Sequence, residues 1–90
     1  MSSGVGTRLI LNFTAPWCGG CKSLKPLLGE VAKKVKLVDY DVDTDPAKAA
    51  EFHVYSLPTV VFMVDGREVG RVTGNSANTQ KCIKDFGEGR

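Results

Sequence analysis

The segment Trp17-Cys18-Gly19-Gly20-Cys21-Lys22 joins a short apolar run to a helical pattern. Residues three apart on the first turn of a helix share one face, so Cys18 and Cys21 can close a disulfide with little backbone rearrangement. Cys18 stands at the helix start, where free backbone N–H groups and the helix dipole favour a thiolate. A thiolate is the attacking species in disulfide exchange, and Cys21 can then resolve the mixed disulfide. The segment therefore predicts a reversible disulfide switch.

The strands and helices are predicted outward from this segment. A buried strand precedes it and an amphipathic helix follows it, and alternating apolar residues and turn signals mark the rest. The predicted elements are strands Arg8 to Thr14, Leu37 to Val42, Thr59 to Val64 and Glu68 to Thr73, and helices Cys18 to about Val35, Ala47 to about Phe52 and Ser76 to about Phe86. This order predicts an α/β fold: a mixed four-stranded sheet flanked by three helices, with a right-handed crossover between the first two strands and an antiparallel hairpin between the last two. Acidic residues at alternate positions place the second strand at an edge.

Length and composition restrict the function classes. The 90 residues, 42% of them hydrophobic, predict one globular domain over 1–90, with a flexible lead at 1–7 and a tail at 87–90. The net charge of +2 is too balanced for a nucleic-acid or membrane-surface protein. We therefore expect partners to be recognised by local shape and chemistry. We also expect the protein to be a monomer.

The cysteines bear on compartment and on metal binding. Three cysteines leave one over after any pairing, which favours a reducing compartment over a secreted disulfide framework. With neither a signal peptide nor a membrane span in view, we predict a cytoplasmic protein. A zinc half-site is the main rival reading of the C-x-x-C pair, but a second pair is lacking and His53 is alone, so we predict no metal. Cys82 is expected to pack as a small hydrophobe and His53 to lie at the surface.

A set of motifs in combination resembles the thioredoxin family. The resemblance runs from about Arg8 to Phe86 and rests on Phe13, Ala15, Trp17-Cys18-Gly19, Cys21-Lys22, Pro26, Asp43, Leu57-Pro58-Thr59, Asp65-Gly66 and Gly74. It implies a thioredoxin fold, with Cys18 as the nucleophile and Cys21 as the resolving thiol. It also implies a cis Pro58 against the cysteines, so that the backbone of Leu57 can bond an extended partner segment.

The resemblance implies a docking groove and a reductase as well. Trp17, beside a Cys18 expected to be exposed, would line the groove with Leu57, Pro58, Gly74 and Asn75, and Gly19 and Gly20 would leave room for the incoming chain. Substrates would be disulfide-containing proteins, with no bound cofactor and with NADPH supplying electrons through a thioredoxin reductase. Two alternatives stay open: a glutathione-linked, glutaredoxin-like reductant or electron donor to ribonucleotide reductase, and a non-enzymatic adaptor that binds partners through the same groove.

The chain departs from the family pattern around the cysteines. Only residues 1–7 precede the first strand, so we expect a minimal form without the N-terminal strand and helix. Gly20 replaces the usual proline and should loosen the loop, which predicts a less reducing couple. Asn12 stands where the family buries an aspartate that assists proton transfer, and an amide cannot act as that base. We predict that Asp39, on the next strand, partly takes this role through water; the alternative is an exposed edge-strand acid.

Overall fold

Four strands and three helices follow one another in the predicted order over residues 7–89, the part of the chain that the computed structural model describes. They are β1 (Arg8–Thr14), α1 (Gly19–Val31), β2 (Lys36–Asp41), α2 (Pro46–Glu51), β3 (Thr59–Val64), β4 (Arg67–Thr73) and α3 (Ala77–Gly87). Capping side chains fix where two of the helices begin. Asp45 caps α2 and is followed by Pro46, and Ser76 caps α3.

The sheet has the strand order β2-β1-β3-β4. β1 runs parallel to β2 and antiparallel to β3, and β3 pairs antiparallel with β4 through a hairpin at Asp65 and Gly66, both at positive φ. The mixed four-stranded sheet with three helices is therefore confirmed, as is the position of β2 at an edge. The parallel register sets Asn12 directly beside Asp39.

Alternating side chains of the central strands build a core on each face of the sheet. One face packs Ile10, Val60 and Phe62 against apolar residues of α1 and α3. The other face carries Leu11, Phe13, Val61 and Met63, with residues from β2 and the α2 region packed against them. β1 and β3 lie between the two cores, which explains why their sequences are almost continuously apolar.

Helix α1 ends earlier than predicted. It stops at Val31, four residues before Val35. Past this point Lys33 N–H bonds Glu30 O at 3.3 Å and Lys34 N–H bonds Val31 O at 2.9 Å, which is a tighter winding than the α-helix. The physical reason is the buried Val35, because the chain must turn there to lead from the core into β2.

Both predicted ends of the domain need correction where they are described. Thr7 was assigned to the flexible lead, yet its N–H bonds Asp65 Oδ1 at 2.8 Å and its carbonyl accepts from Asp65 N–H at 2.9 Å. Gly87 was assigned to the tail, yet it is the last residue of α3 and is buried. Arg8 helps to hold that helix end, because it donates to Phe86 O and lies 4.1 Å from the centre of the Phe86 ring. Residues 1–6 of the lead and residue 90 of the tail lie outside the described part.

Gly87→Ala is expected to destabilise the domain. An added Cβ would lie 2.8 Å from Val31 Cγ1, so α1 or α3 would have to shift. Overpacking of this kind costs about 1–3 kcal/mol. The matched control is Gly29→Ala, where nothing lies within 4 Å of the new Cβ and helix propensity should add about 0.5–1 kcal/mol. Urea unfolding of both oxidised variants measures the difference, and equal stabilities would contradict the close approach.

Candidate active site

The two cysteines of the opening segment form a disulfide at the start of α1. Their Cα atoms are 5.3 Å apart. Cys18 is the residue that caps the helix: its backbone is extended, and its Sγ accepts the N–H of Cys21 at 3.2 Å. The predicted redox pair is thus assembled, with the Cys18 sulfur at the positive end of the helix dipole.

Cys18 is less exposed than predicted. Cys18 retains 7% and Cys21 5% of full exposure, and both pack with Ala15 against Val42 and Leu57. The burial arises because the Cys18 N–H bonds Ala15 O at 3.1 Å, which folds the loop back under the helix start. Nothing lies within 4 Å of a Cβ built on Gly19, so one side of the pair stays open.

The loop before β3 lies against the helix start. The Leu57–Pro58 peptide is cis, as the resemblance implied. A Cβ built on Gly20 would lie 3.2 Å from Pro58 Cδ and 3.9 Å from Asn75 Cβ. Gly74, at φ +91°, donates its N–H to Pro58 O at 2.8 Å. Pro58 and Asn75, both assigned to the docking groove, therefore lie against the first turn of α1, and Gly74 is bonded to Pro58.

Trp17 is fixed at the surface by a partner that we did not assign to the site. Its side chain is 68% exposed, and its indole N–H donates to Asp43 Oδ2 at 2.9 Å. Asp43 is among the motifs of the family resemblance, but it was given no role in the site. The predicted strand order could have indicated this contact. Because β1 and β2 are parallel, the residues that follow their carboxyl ends meet at one edge of the sheet. Val42, on the same turn, is the other missed residue and packs against the cysteine cluster.

A cavity of about 340 Å³ lies beneath the resolving cysteine. Its walls include Cys21, Asn12, Asp39, Lys22 and Lys25. Asn12 Nδ2 donates to Asp39 Oδ1 at 2.9 Å, whereas the buried Asn12 Oδ1 has no hydrogen-bond partner in residues 7–89. Asp39 therefore shares a cavity with Cys21 although the residue itself is exposed.

The remaining sequence assignments fall outside the site. Cys82 is partly buried and packs against the core cluster of α1 and α3, as predicted. His53 is exposed just after α2, at φ +55°, with its Nδ1 3.3 Å from the Tyr55 hydroxyl. Across the described residues, no group of three or more His, Cys, Asp or Glu side chains could hold a metal ion. None of the helices in this part is long and apolar enough to cross a membrane.

Gly20→Pro is expected to lower the reduction potential of the cysteine pair. Glycine gives the open dithiol loop more conformations to lose on ring closure, so proline should favour the disulfide by about 0.4–1 kcal/mol, or about 10–20 mV. The wild type itself should lie above the value of about −270 mV of thioredoxin. Equilibration with glutathione buffers measures both. Gly19→Ala, with open space around its Cβ, is the matched control and should shift the potential in the same direction by less. An unchanged or raised potential in Gly20→Pro would contradict the loop argument.

Comparison with known proteins gives a consistent result. The family model described as Thioredoxin matches residues 5–86. Among curated relatives, thioredoxin H-type 1 of Nicotiana tabacum is 43% identical over 76 residues, which is 79% of this chain and 60% of the relative. The thioredoxin of Mycolicibacterium smegmatis is 39% identical over 77 residues, 79% of this chain and 69% of the relative. The chain thus spans 60% and 69% of the length of these two relatives, and 47% of the length of Arabidopsis thaliana thioredoxin H8.

Solved structures agree with the sequence relatives. The oxidised mitochondrial thioredoxin 3 of Saccharomyces cerevisiae superposes with a TM-score of 0.79 at 36% identity, covering 89% of this chain and 79% of that one. A second structure concerns the thiol resolving mechanism in yeast mitochondrial 1-Cys peroxiredoxin via glutathione/thioredoxin systems. It matches with a TM-score of 0.78 at 34% identity, over 89% of this chain and 79% of that one. The predicted family resemblance is confirmed.

Proposed function

The chain belongs to the thioredoxin family, and from that premise we propose that it is a thiol–disulfide oxidoreductase that reduces disulfide bonds in other proteins. The observation that carries this proposal is the Cys18–Cys21 disulfide at the start of α1, packed beside the loop of Leu57 and Pro58. The pair is close enough to open and close without moving the helix. A dithiol held in this way can take up the two electrons of one disulfide.

In the first step, Cys18 is the nucleophile. Its thiolate attacks one sulfur of the substrate disulfide, the substrate S–S bond breaks, and the second substrate sulfur leaves as a thiolate that takes a proton. The Cys18 thiolate is stabilised by the helix start and by the Cys21 N–H, which lies 3.2 Å from Sγ in the oxidised pair. The product is a mixed disulfide between Cys18 and the substrate.

In the second step, Cys21 resolves the mixed disulfide. Its thiol loses a proton, and the thiolate attacks Cys18 Sγ from three residues along the helix. The bond between Cys18 and the substrate breaks, the substrate sulfur leaves and is protonated, and the Cys18–Cys21 disulfide closes. One substrate disulfide has become two thiols, and the enzyme dithiol has become a disulfide.

The groove around the pair accommodates an extended segment of the substrate. The exposed Trp17 lines this groove together with Leu57, Pro58, Gly74 and Asn75. The backbone of Leu57 offers hydrogen bonds to a chain that approaches as a strand. Gly19 leaves space above the helix start for the substrate backbone, whereas Gly20 lets the helix start lie close against Pro58. Specificity then comes from shape and apolar contact rather than from charge.

The oxidised pair must be reduced before the next turnover. We propose that a thioredoxin reductase does this with electrons from NADPH, so that the domain itself binds no cofactor. A monomer in the cytoplasm, where a reductase keeps dithiols reduced, suits this cycle. Glutathione is the alternative reductant, because the related yeast structure concerns glutathione as well as thioredoxin systems. Protein disulfides, including those of peroxiredoxins, are the substrate class.

Insulin reduction in three reducing systems tests the proposal. The protein is assayed with dithiothreitol, with NADPH plus thioredoxin reductase, and with glutathione plus glutathione reductase. We expect turnover in the first two systems. Turnover only with glutathione would assign the protein to the glutaredoxin-like alternative. No turnover in any system, with the fold intact by circular dichroism, would contradict the oxidoreductase and favour the adaptor.

A further inference from the structure

We propose that Asn12 and Asp39 form a proton relay for the resolving thiol, in which Asp39 accepts the Cys21 proton through a water that Asn12 holds. The proposal rests on the function proposed above and concerns its second step. Asn12 acts as a positioning residue on the buried strand β1. Asp39, on the edge strand β2, passes the proton on to solvent.

The pair is built into the sheet. The parallel register of β1 and β2 puts Asn12 beside Asp39, and the Asn12 Nδ2 to Asp39 Oδ1 hydrogen bond of 2.9 Å fixes both side chains. Asn12 keeps only 7% of its exposure, whereas Asp39 is exposed. One end of the pair therefore lies in the interior near the cysteines, and the other end reaches water.

The free oxygen of Asn12 indicates a ligand in the cavity. Asn12 Oδ1 is buried and has no hydrogen-bond partner in the described chain, which is costly for an amide oxygen. The cavity of about 340 Å³ beside it also touches Cys21 and Asp39. One water needs about 30 Å³ and two to four polar partners. A water that donates to Asn12 Oδ1 and to the Asp39 carboxylate satisfies both and can accept the Cys21 thiol proton.

The relay supplies the proton balance of the resolving step. As Cys21 attacks Cys18 Sγ, its proton passes to the water, and the water gives a proton to the Asp39 carboxylate. The Cys18–Cys21 bond forms, the bond from Cys18 to the substrate breaks, and the substrate thiolate takes its proton from solvent. Asp39 then loses its proton to solvent, which it reaches directly.

The other charged groups that face the cavity are cations. Lys22 and Lys25, both from α1, line it, and the β1 residues in its wall, Asn12 and Thr14, are uncharged. A lysine ammonium group attracts a carboxylate and a thiolate but has no lone pair with which to accept a proton. Of the described cavity residues, Asp39 is thus the one that can act as the base.

The test follows the mixed disulfide directly. Reduced protein is mixed with oxidised glutathione, quenched with acid at increasing times and analysed by mass, so that formation and decay of the glutathione adduct on Cys18 give separate rates. We expect Asp39→Asn to slow the decay by about a hundredfold near neutral pH, the lower end of what a general base contributes. At a pH high enough for the Cys21 thiol to ionise without a base, the two decay rates should converge.

Two further variants sharpen the test. Glu30→Gln removes one negative charge from an exposed site on α1 away from this cavity and should leave the decay unchanged. The double variant Asn12→Asp, Asp39→Asn exchanges the two side chains, so that one carboxylate and one amide still pair across β1 and β2. It should restore most of the decay rate that Asp39→Asn alone loses.

The failure of the relay is distinguishable from the failure of the proposed function. Adduct formation in Cys21→Ser, with and without Asp39→Asn, reports the first step alone and should be the same in both. If no adduct forms at all, the oxidoreductase proposal fails. If adducts form and resolve at the same rate without Asp39, or if the decay is slowed equally at every pH, the relay is overturned.

Discussion

Cys18→Ser is expected to abolish disulfide reduction, whereas Cys21→Ser is expected to stop the reaction after its first step. A serine hydroxyl is not ionised at neutral pH, so Cys18→Ser removes the nucleophile and should lower insulin reduction by a factor on the order of 10³ or more. Cys21→Ser keeps the nucleophile and its position at the helix start. It should therefore form the mixed disulfide and hold it.

Mass analysis under non-reducing conditions separates these outcomes. With oxidised glutathione, Cys21→Ser should gain the mass of one glutathione, and Cys18→Ser should gain little at the same pH. The control is Cys82→Ser, because Cys82 packs against the core away from the disulfide and should not be needed for turnover. An adduct that forms faster on Cys21 than on Cys18 would reverse the assigned roles.

The parts of the fold that were predictable are those where one strand or helix carries its own signal. β1 and β3 are nearly continuous apolar runs, and their bounds agree with the sequence prediction. The redox pair was predictable because residues three apart on a helix meet whatever surrounds them. The placement of Asn12 and Asp39 on neighbouring strands also followed from the sequence, since a parallel crossover places β1 beside β2, whereas their direct pairing is set by the register of the folded sheet.

The parts that escaped prediction depend on contacts between distant segments. The end of α1 is set by where Val35 must enter the core, which the helical periodicity does not reveal. The burial of Gly87 depends on Val31, a contact between α3 and α1. The hydrogen bond from Trp17 to Asp43 joins two loops that meet only once the sheet has formed. The unpartnered oxygen of Asn12 likewise appears only when every neighbouring side chain is placed.

Phe13→Ala is expected to be the most destabilising single core truncation next to the site. Phe13 is fully buried, with its ring centre 5.4 Å from that of Tyr40 and 5.8 Å from that of Phe52. Deleting a buried phenylalanine side chain costs about 3–5 kcal/mol, and a whole domain has only about 5–15 kcal/mol of stability. The midpoint of urea unfolding should therefore fall sharply while the slope stays constant. Tyr55→Ala, at a side chain that is 88% exposed, is the aromatic control and should change stability by no more than about 0.5 kcal/mol.

The same truncation should also affect the groove, because Phe13 connects the core to it. Phe13 on β1 pairs with Thr59 on β3, and Thr59 is the residue that follows Pro58. Leu57 packs against the core cluster that contains Phe13. A void under this loop should let Leu57 and Pro58 move while the disulfide at α1 stays in place. We therefore expect Phe13→Ala to raise the KM for insulin at temperatures where the protein is still folded, with little change in the reaction with oxidised glutathione. Equal losses with both substrates would show that the void acts on the cysteines rather than on the docking loop.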